Sequence, residues 1–304
     1  MQTILGANGI IGQELSKHLP QYTKRIRQVS RNPKKVNPND EMVAADLLRY
    51  DQTEKAVAGS ETVYLLAGLK YETKTWQEQW PKVMRNTIDA CKKHNSKLVF
   101  FDNVYSYGHV EGPMTEQTPF NPNSKKGEVR ARIATMLLDE VKNQNLQAII
   151  IRSADFYGPG ALQSLIYNTV TTRLKAGKSP QWIGNPKKVH TFTYTPDAGK
   201  TVAVLGNSPS AFNQTWHAVT NKKMITGQVF VNMACNALSQ PSRKISGMPK
   251  VGVRILGLFI PVLREFVEMM YQFENDYIFD STKAEQFMGT TATSYENGII
   301  ATVK

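Results

Sequence analysis

The chain has 304 residues, of which 41% are hydrophobic and 20% charged, so it is long enough for a substantial core and too apolar to be disordered. Its net charge of +12 is scattered in pairs such as Lys24-Arg25 and Lys187-Lys188, which draws anions in general and argues against nucleic-acid recognition. Cys91 and Cys235 lie far apart and outside any CxxC or His/Cys cluster, so neither a metal site nor a disulfide framework is expected.

Residues 2–5 form a short apolar run that ends in glycine, the pattern of a buried strand. A strand there leaves no room for a signal peptide, and with two thiols it predicts a reducing, cytoplasmic setting. Helical spacing follows over 10–19 and stops at Pro20. Strands are predicted at 26–30, 42–45 and 62–66, a long helix at about 76–94, a strand at 98–101, a helix at about 125–141 and a strand at 148–151. Such alternation implies a parallel sheet covered on both faces, a doubly wound α/β fold. Beyond Tyr157-Gly158-Pro159-Gly160 the alternation weakens. A helix is predicted at about 162–176, strands at 191–194 and 215–219, and a helix from Pro196-Asp197 with Asp197 as N-cap. The remainder reads as mostly helical. The expected division is a dinucleotide-binding domain of residues 1–157 plus about 189–219, and a substrate lobe of about 158–188 plus 220–304. The apolar stretch 251–263 contains Arg254 and Pro261 and is too short to span a bilayer. It reads as a helix packed on protein, with a membrane-surface helix the alternative, and no membrane partner is expected.

Gly6-Ala7-Asn8-Gly9-Ile10-Ile11-Gly12 lies between the first strand and the first helix, the setting that gives a glycine pattern meaning. Gly6 permits a tight turn, Gly9 lets a pyrophosphate approach the amides around Asn8, Ile10 and Ile11, and Gly12 allows close helix–strand packing. This is the pattern of a Rossmann-type site. An acid at the end of the second strand would bind the ribose hydroxyls of NAD. The chain instead reads Arg31-Asn32-Pro33-Lys34-Lys35. Arg31 can fork onto a 2′-phosphate and Lys34 or Lys35 can add charge, so NADP is preferred, with NAD the alternative.

The GxxGxxG spacing resembles that of the extended and atypical short-chain dehydrogenase/reductases. Asp46-Leu47 resembles the family's adenine contact, and Leu66-Ala67-Gly68 is similar to the loop after the fourth strand of UDP-galactose epimerases. Tyr107-Gly108, Arg152, Tyr157 to Gly160, and Phe192-Thr193-Tyr194 with Asp197 fall at family landmarks. Ser153 and Asp155 follow the strand near which the nicotinamide is expected. The resemblance implies a Rossmann domain with a cofactor on these residues.

At the catalytic positions the chain departs from the family, which carries a Ser/Thr and then Tyr-x-x-x-Lys. Asn103 stands at the Ser/Thr place, Lys126 at the Tyr and Arg130 at the Lys. Two readings stay open. In one, catalysis is lost and the protein is an NADP-binding redox sensor. In the other, Lys126 is the acid/base, since Lys126-x-x-Val129-Arg130 is similar to the Lys-x-x-(Val/Ile)-Arg segment of isoflavone-reductase-like proteins. Arg130 one turn away and the positive end of the helix both favour an uncharged lysine, whereas a pairing with Asp102 opposes it. Tyr105 is a replacement hydroxyl donor. His190 and His217 replace residues that nucleotide-sugar enzymes of the family use, which argues against such a substrate, and neither receives a role. The expected activity is an NADP-dependent oxidoreductase acting on a small carbonyl, alcohol or activated double bond. A nucleotide-sugar epimerase or dehydratase is a further reading. A small-molecule substrate is expected, and a homodimer is compatible with the pattern.

Overall fold

Seven strands carry the fold: β1 (Gln2–Leu5), β2 (Ile26–Ser30), β3 (Glu41–Ala44), β4 (Thr62–Leu65), β5 (Lys97–Asn103), β6 (Ala148–Ser153) and β7 (Gln214–His217). The computed structural model describes residues 1–304. The strands are parallel throughout and lie in the order β7-β6-β5-β4-β1-β2-β3. The order reverses between β1 and β4, which opens a crevice at their carboxyl ends.

Alternate side chains of each strand feed two cores. Leu5, Val29, Val63, Leu65, Leu98, Phe100 and Ile150 point to one face. They meet α2 (Tyr50–Val57), α3 (Thr73–Lys93) and α4 (Lys125–Lys142). Ile4, Tyr64, Val99, Ile149, Ile151 and Trp216 point to the other, against α1 (Ile10–His18) and α5 (Thr195–Gly206). Those two helices cross closely because Gly199 lacks a side chain; a Cβ there would lie 2.4 Å from that of Glu14.

A third core gathers Tyr157, Val170, Trp182, Phe192, Phe230, Tyr295 and Ile299. Its helices are α6 (Gly227–Ala237) and, at the end of the chain, α10 (Tyr295–Val303). Between them come α7 (Lys250–Gly257), α8 (Pro261–Phe266) and α9 (Thr282–Met288).

Four sequence expectations are corrected. Helix α2 was not expected, because of its eight residues only Thr53, Ala56 and Val57 are buried and the apolar signal is weak. The helix predicted over 162–176 forms over 165–175 and contains an unexpected π-turn at Tyr167–Thr171, within a run of β-branched Thr169, Val170, Thr171 and Thr172. Asp197 is not an N-cap: Tyr194 is, and the Asp197 carboxylate accepts from the Thr293 amide and hydroxyl at 2.7 and 2.9 Å. Residues 251–263 do not pack as one helix on protein; they form the α7–α8 hairpin, most of whose apolar side chains are exposed.

Candidate active site

The cofactor end begins where β1 stops. The chain turns at Gly6 with φ +91°, and a Cβ there would lie 2.5 Å from Ala67 Cα. Only glycine lets the loop after β1 lie against the loop after β4 across the crevice. A Cβ on Gly12 would lie 2.7 Å from the Ala7 carbonyl oxygen, so α1 can start this close to β1 only with glycine. Gly9 is the N-cap of α1 and brings no capping side chain. The first helical amide to return to the loop is that of Gln13, onto the Gly9 carbonyl at 3.0 Å. The amides of Ile10, Ile11 and Gly12 are left at the positive end of the helix, a seat suited to a pyrophosphate.

Asn8 joins this seat to the loop after β2. Its Nδ2 donates to the Asn32 carbonyl at 2.7 Å, and its Oδ1 accepts from the Lys34 amide at 3.2 Å. The bridge anchors the segment bearing Arg31 and Lys35, whose side chains are exposed. Lys35 Nζ donates to the Pro38 carbonyl at 3.2 Å. Asp46 serves its own turn, accepting from the Leu48 amide at 3.0 Å, while the Leu47 carbonyl accepts from Asn86 at 2.9 Å. Leu66 is buried beneath Ala67 and Gly68. Ser153 is buried at the end of β6. These residues fit a dinucleotide: Gly6 and Gly12 let the loops and α1 close up, no side chain at Gly9 covers the helix start, and a tethered basic loop flanks it.

The reactive end is assembled on the turn after β5. Asn103 Oδ1 accepts from the Tyr105 amide at 3.0 Å, which holds that turn. Gly127 lets α4 rest on it, since a Cβ would lie 2.5 Å from the Tyr105 carbonyl oxygen. Ser124 caps α4 by accepting from the Gly127 amide at 3.0 Å. Lys126 and Arg130 are thereby fixed on one helix face but directed to different partners. Arg130 Nε donates to the buried Asp102 at 2.6 Å, and its guanidinium lies 4.4 Å from the Trp80 ring centre. Asp102 also faces Arg152, Nε at 3.5 Å.

Lys126 is fully buried, and its ammonium donates to Glu265 Oε2 at 2.7 Å, Glu268 Oε1 at 2.8 Å and Thr73 Oγ1 at 2.8 Å. Both carboxylates also meet helix amides: Glu265 accepts from the Thr73 N–H and Glu268 from the Lys125 N–H, each at 2.7 Å. The positive ends of α3 and α4 and one ammonium thus converge on two carboxylates carried in from the segment that follows α7. Burial pushes the Glu265 carboxyl up, but the Lys126 ammonium and the Thr73 hydroxyl and amide outweigh it and pull it down to about 2. Besides the neighbours expected from the sequence, Lys126 thus has two carboxylate partners from far along the chain. With both carboxylates in place the lysine donates to two ion pairs.

Beside this ion cluster lie Tyr71, Tyr105, Tyr271 and Tyr277. Burial pushes each hydroxyl above its ordinary range, and the Asp155 carboxylate adds to the push on all four. Tyr105 stacks on Trp76 at 6.2 Å, and the buried Tyr271 hydroxyl has no hydrogen-bond partner. Asp155 pairs with His190 Nε2 at 2.9 Å, and the imidazole lies 4.5 Å from both the Phe273 and Tyr277 ring centres. His217 is held between the Tyr107 hydroxyl at 2.9 Å and the Asp280 carbonyl at 2.6 Å.

Sequence reasoning missed Tyr71, Tyr277, Glu265 and Glu268. One signal for the glutamates exists: no acidic residue lies between Asp197 and Glu265, so the first two after that gap stand out.

A family model described as NAD dependent epimerase/dehydratase family matches residues 3–216. No curated protein matches the chain. Among solved structures, dTDP-glucose 4,6-dehydratase of Streptomyces venezuelae with NAD bound is similar over 100% of this chain and 96% of its own, at 16% identity and a TM-score of 0.80. The dTDP-glucose 4,6-dehydratase of Bacillus anthracis in complex with NAD covers 99% and 94%, at 18% identity and 0.81. UDP-glucuronic acid 4-epimerase of Bacillus cereus in complex with NAD covers 100% and 97%, at 17% identity and 0.80. At such identities the likeness establishes the fold.

Proposed function

The chain belongs to the NAD dependent epimerase/dehydratase family, within the extended short-chain dehydrogenase/reductases, and from that premise we propose that it is an NADP-dependent reductase. The cofactor rests on Gly6, Asn8, Gly9, Ile10, Ile11 and Gly12, with Arg31 and Lys35 toward a 2′-phosphate. Asp46, Leu47, Leu66, Ala67 and Gly68 flank the rest of it, with Ser153 and Arg130 at its nicotinamide half. The observation that carries this reading is the cradle, where Gly6 and Gly12 occupy places that no Cβ can share. When bound, the dinucleotide supplies a hydride.

The substrate, a small carbonyl or activated double bond, lies against the tyrosine cluster. Burial and Asp155 keep the Tyr105 hydroxyl protonated. A hydroxyl held in that state can give its proton to a developing alkoxide, which is the more basic oxygen. Asn103 holds the turn that aims Tyr105, and Arg130 keeps that turn against α4 through Asp102. Lys126 takes up a proton-transfer role only where Glu265 and Glu268 have left it. The neighbours named for nucleotide sugars favour a second reading, an epimerase or dehydratase on such a substrate. Asp155 speaks against it, because its carboxylate would repel a diphosphate in the same cluster.

Fluorescence titration with NADPH and NADH tests the cofactor. NADPH should bind more tightly, and Arg31→Ala should erase the preference. Consumption of NADPH across a panel of carbonyls and enones tests the chemistry. Tyr105→Phe should lower kcat by about 100-fold or more with little change in NADPH affinity. Failure to bind either dinucleotide overturns the proposal; binding without turnover leaves the redox-sensor reading.

A further inference from the structure

The α7–α8 hairpin has an outer surface unlike any other part of the molecule. Leu258 and Phe259 at its tip are 76% and 80% exposed, and Val251, Ile255 and Val262 are each more than half exposed. Helix α7 buries only Val253 and Gly257, and α8 buries nothing fully. The two arms meet closely at Gly257, where a Cβ would lie 3.0 Å from the Arg264 backbone. The intervening residues 258–260 are therefore turned outward. The hairpin is nonetheless seated, because Val253 packs with Ile183 and Met270 beneath it.

The exposed charges on the hairpin itself have one sign. Arg254 and Arg264 are exposed and Lys250 is half-buried. The nearest acids in sequence, Glu265 and Glu268, turn inward onto Lys126. An apolar crown flanked on its own hairpin by exposed cations complements an apolar layer beneath anionic headgroups. A second copy of the chain would bring Arg254 and Arg264 against their own counterparts with no hairpin carboxylate to meet them. No helix is long and apolar enough to cross a membrane, so contact is limited to the interfacial layer.

We propose that the α7–α8 hairpin is a membrane-docking element that seats Leu258, Phe259 and Ile260 in the surface of a bilayer bearing anionic headgroups. This revises the expectation that the chain has no membrane partner.

Co-sedimentation of the full chain with vesicles tests it, using phosphatidylcholine alone and equimolar phosphatidylcholine and phosphatidylglycerol. The protein should bind the anionic vesicles, be released by added salt, and bind neutral vesicles about tenfold more weakly or less. Leu258→Ser with Phe259→Ser should weaken binding about tenfold or more while leaving thermal unfolding unchanged, because both side chains are exposed. Arg254→Gln and Arg264→Gln should each weaken it about fivefold. In Phe259→Trp, tryptophan emission should shift to the blue on adding anionic vesicles. No binding to anionic vesicles, or equal binding by the double serine variant, overturns the proposal. A dimer in sedimentation velocity that the double variant dissolves also overturns it and assigns the crown to contacts between copies.

Discussion

Gly6 shows how much a single position decides. Its positive φ and the 2.5 Å approach to Ala67 are two separate demands, and a side chain meets neither. Gly6→Ala should therefore cost about 1–3 kcal/mol of stability in urea unfolding, because backbone on both sides has to shift. It should also abolish NADPH binding in the same fluorescence titration that reads the parent protein. Full NADPH affinity in Gly6→Ala would mean that the loops after β1 and β4 do not form the cofactor cradle. Arg130 makes the complementary point. Its place four residues after Lys126 marks it in the sequence as a like charge beside that lysine, and the fold pairs it with Asp102 across α4 and β5.

At the scale of elements, the decisive contact joins the positive ends of α3 and α4 to the segment that follows α7. Glu265 and Glu268 accept from both helix starts and from the buried Lys126. Replacing both by glutamine leaves an ammonium out of water without a counter-charge, which should cost about 3–5 kcal/mol in urea unfolding. Adding Lys126→Met to that pair should recover much of the loss, since it removes the unpaired charge; no recovery would show that the lysine is not buried as described. The contact also has a pH signature. The folded Glu265 carboxyl sits at about 2 against an ordinary 4.5. Its stabilisation is complete above about pH 4.5 and disappears as the pH falls toward 2. Glu265→Gln should flatten that limb of the acid-unfolding curve.

For the whole molecule, acid stability is governed by groups the fold has taken from water. Burial drives His217 down to about 3 from an ordinary 6.5, with the Asp280 carbonyl opposing and Arg152 assisting. The unfolded chain therefore binds the extra proton throughout that interval, and stability is lost as the pH drops from about 6.5 to 3. The slope should be about 1.4 kcal/mol per pH unit from this residue, and His217→Gln should remove it from the stability–pH profile. An unchanged profile in that variant would mean that the imidazole is solvated and titrates normally.

The sequence by itself determined the doubly wound sheet, because strand and helix periodicities and the glycine loop are local patterns that short-range sterics enforce. It located the glycine loop for the same reason: Gly6, Gly9 and Gly12 act through the local backbone. It named Asn103, Tyr105, Lys126 and Arg130 as candidates at the other end, but it could not say which partner each would meet. Only the tertiary structure decided that Lys126 is closed off by Glu265 and Glu268, more than a hundred residues away. The same holds for Tyr71, Tyr105, Tyr271 and Tyr277, which gather about Asp155, and for stretch 251–263, which turns its apolar side chains outward. Each of these outcomes depends on charge and burial summed over elements distant in the chain, and neither quantity can be read from one segment alone.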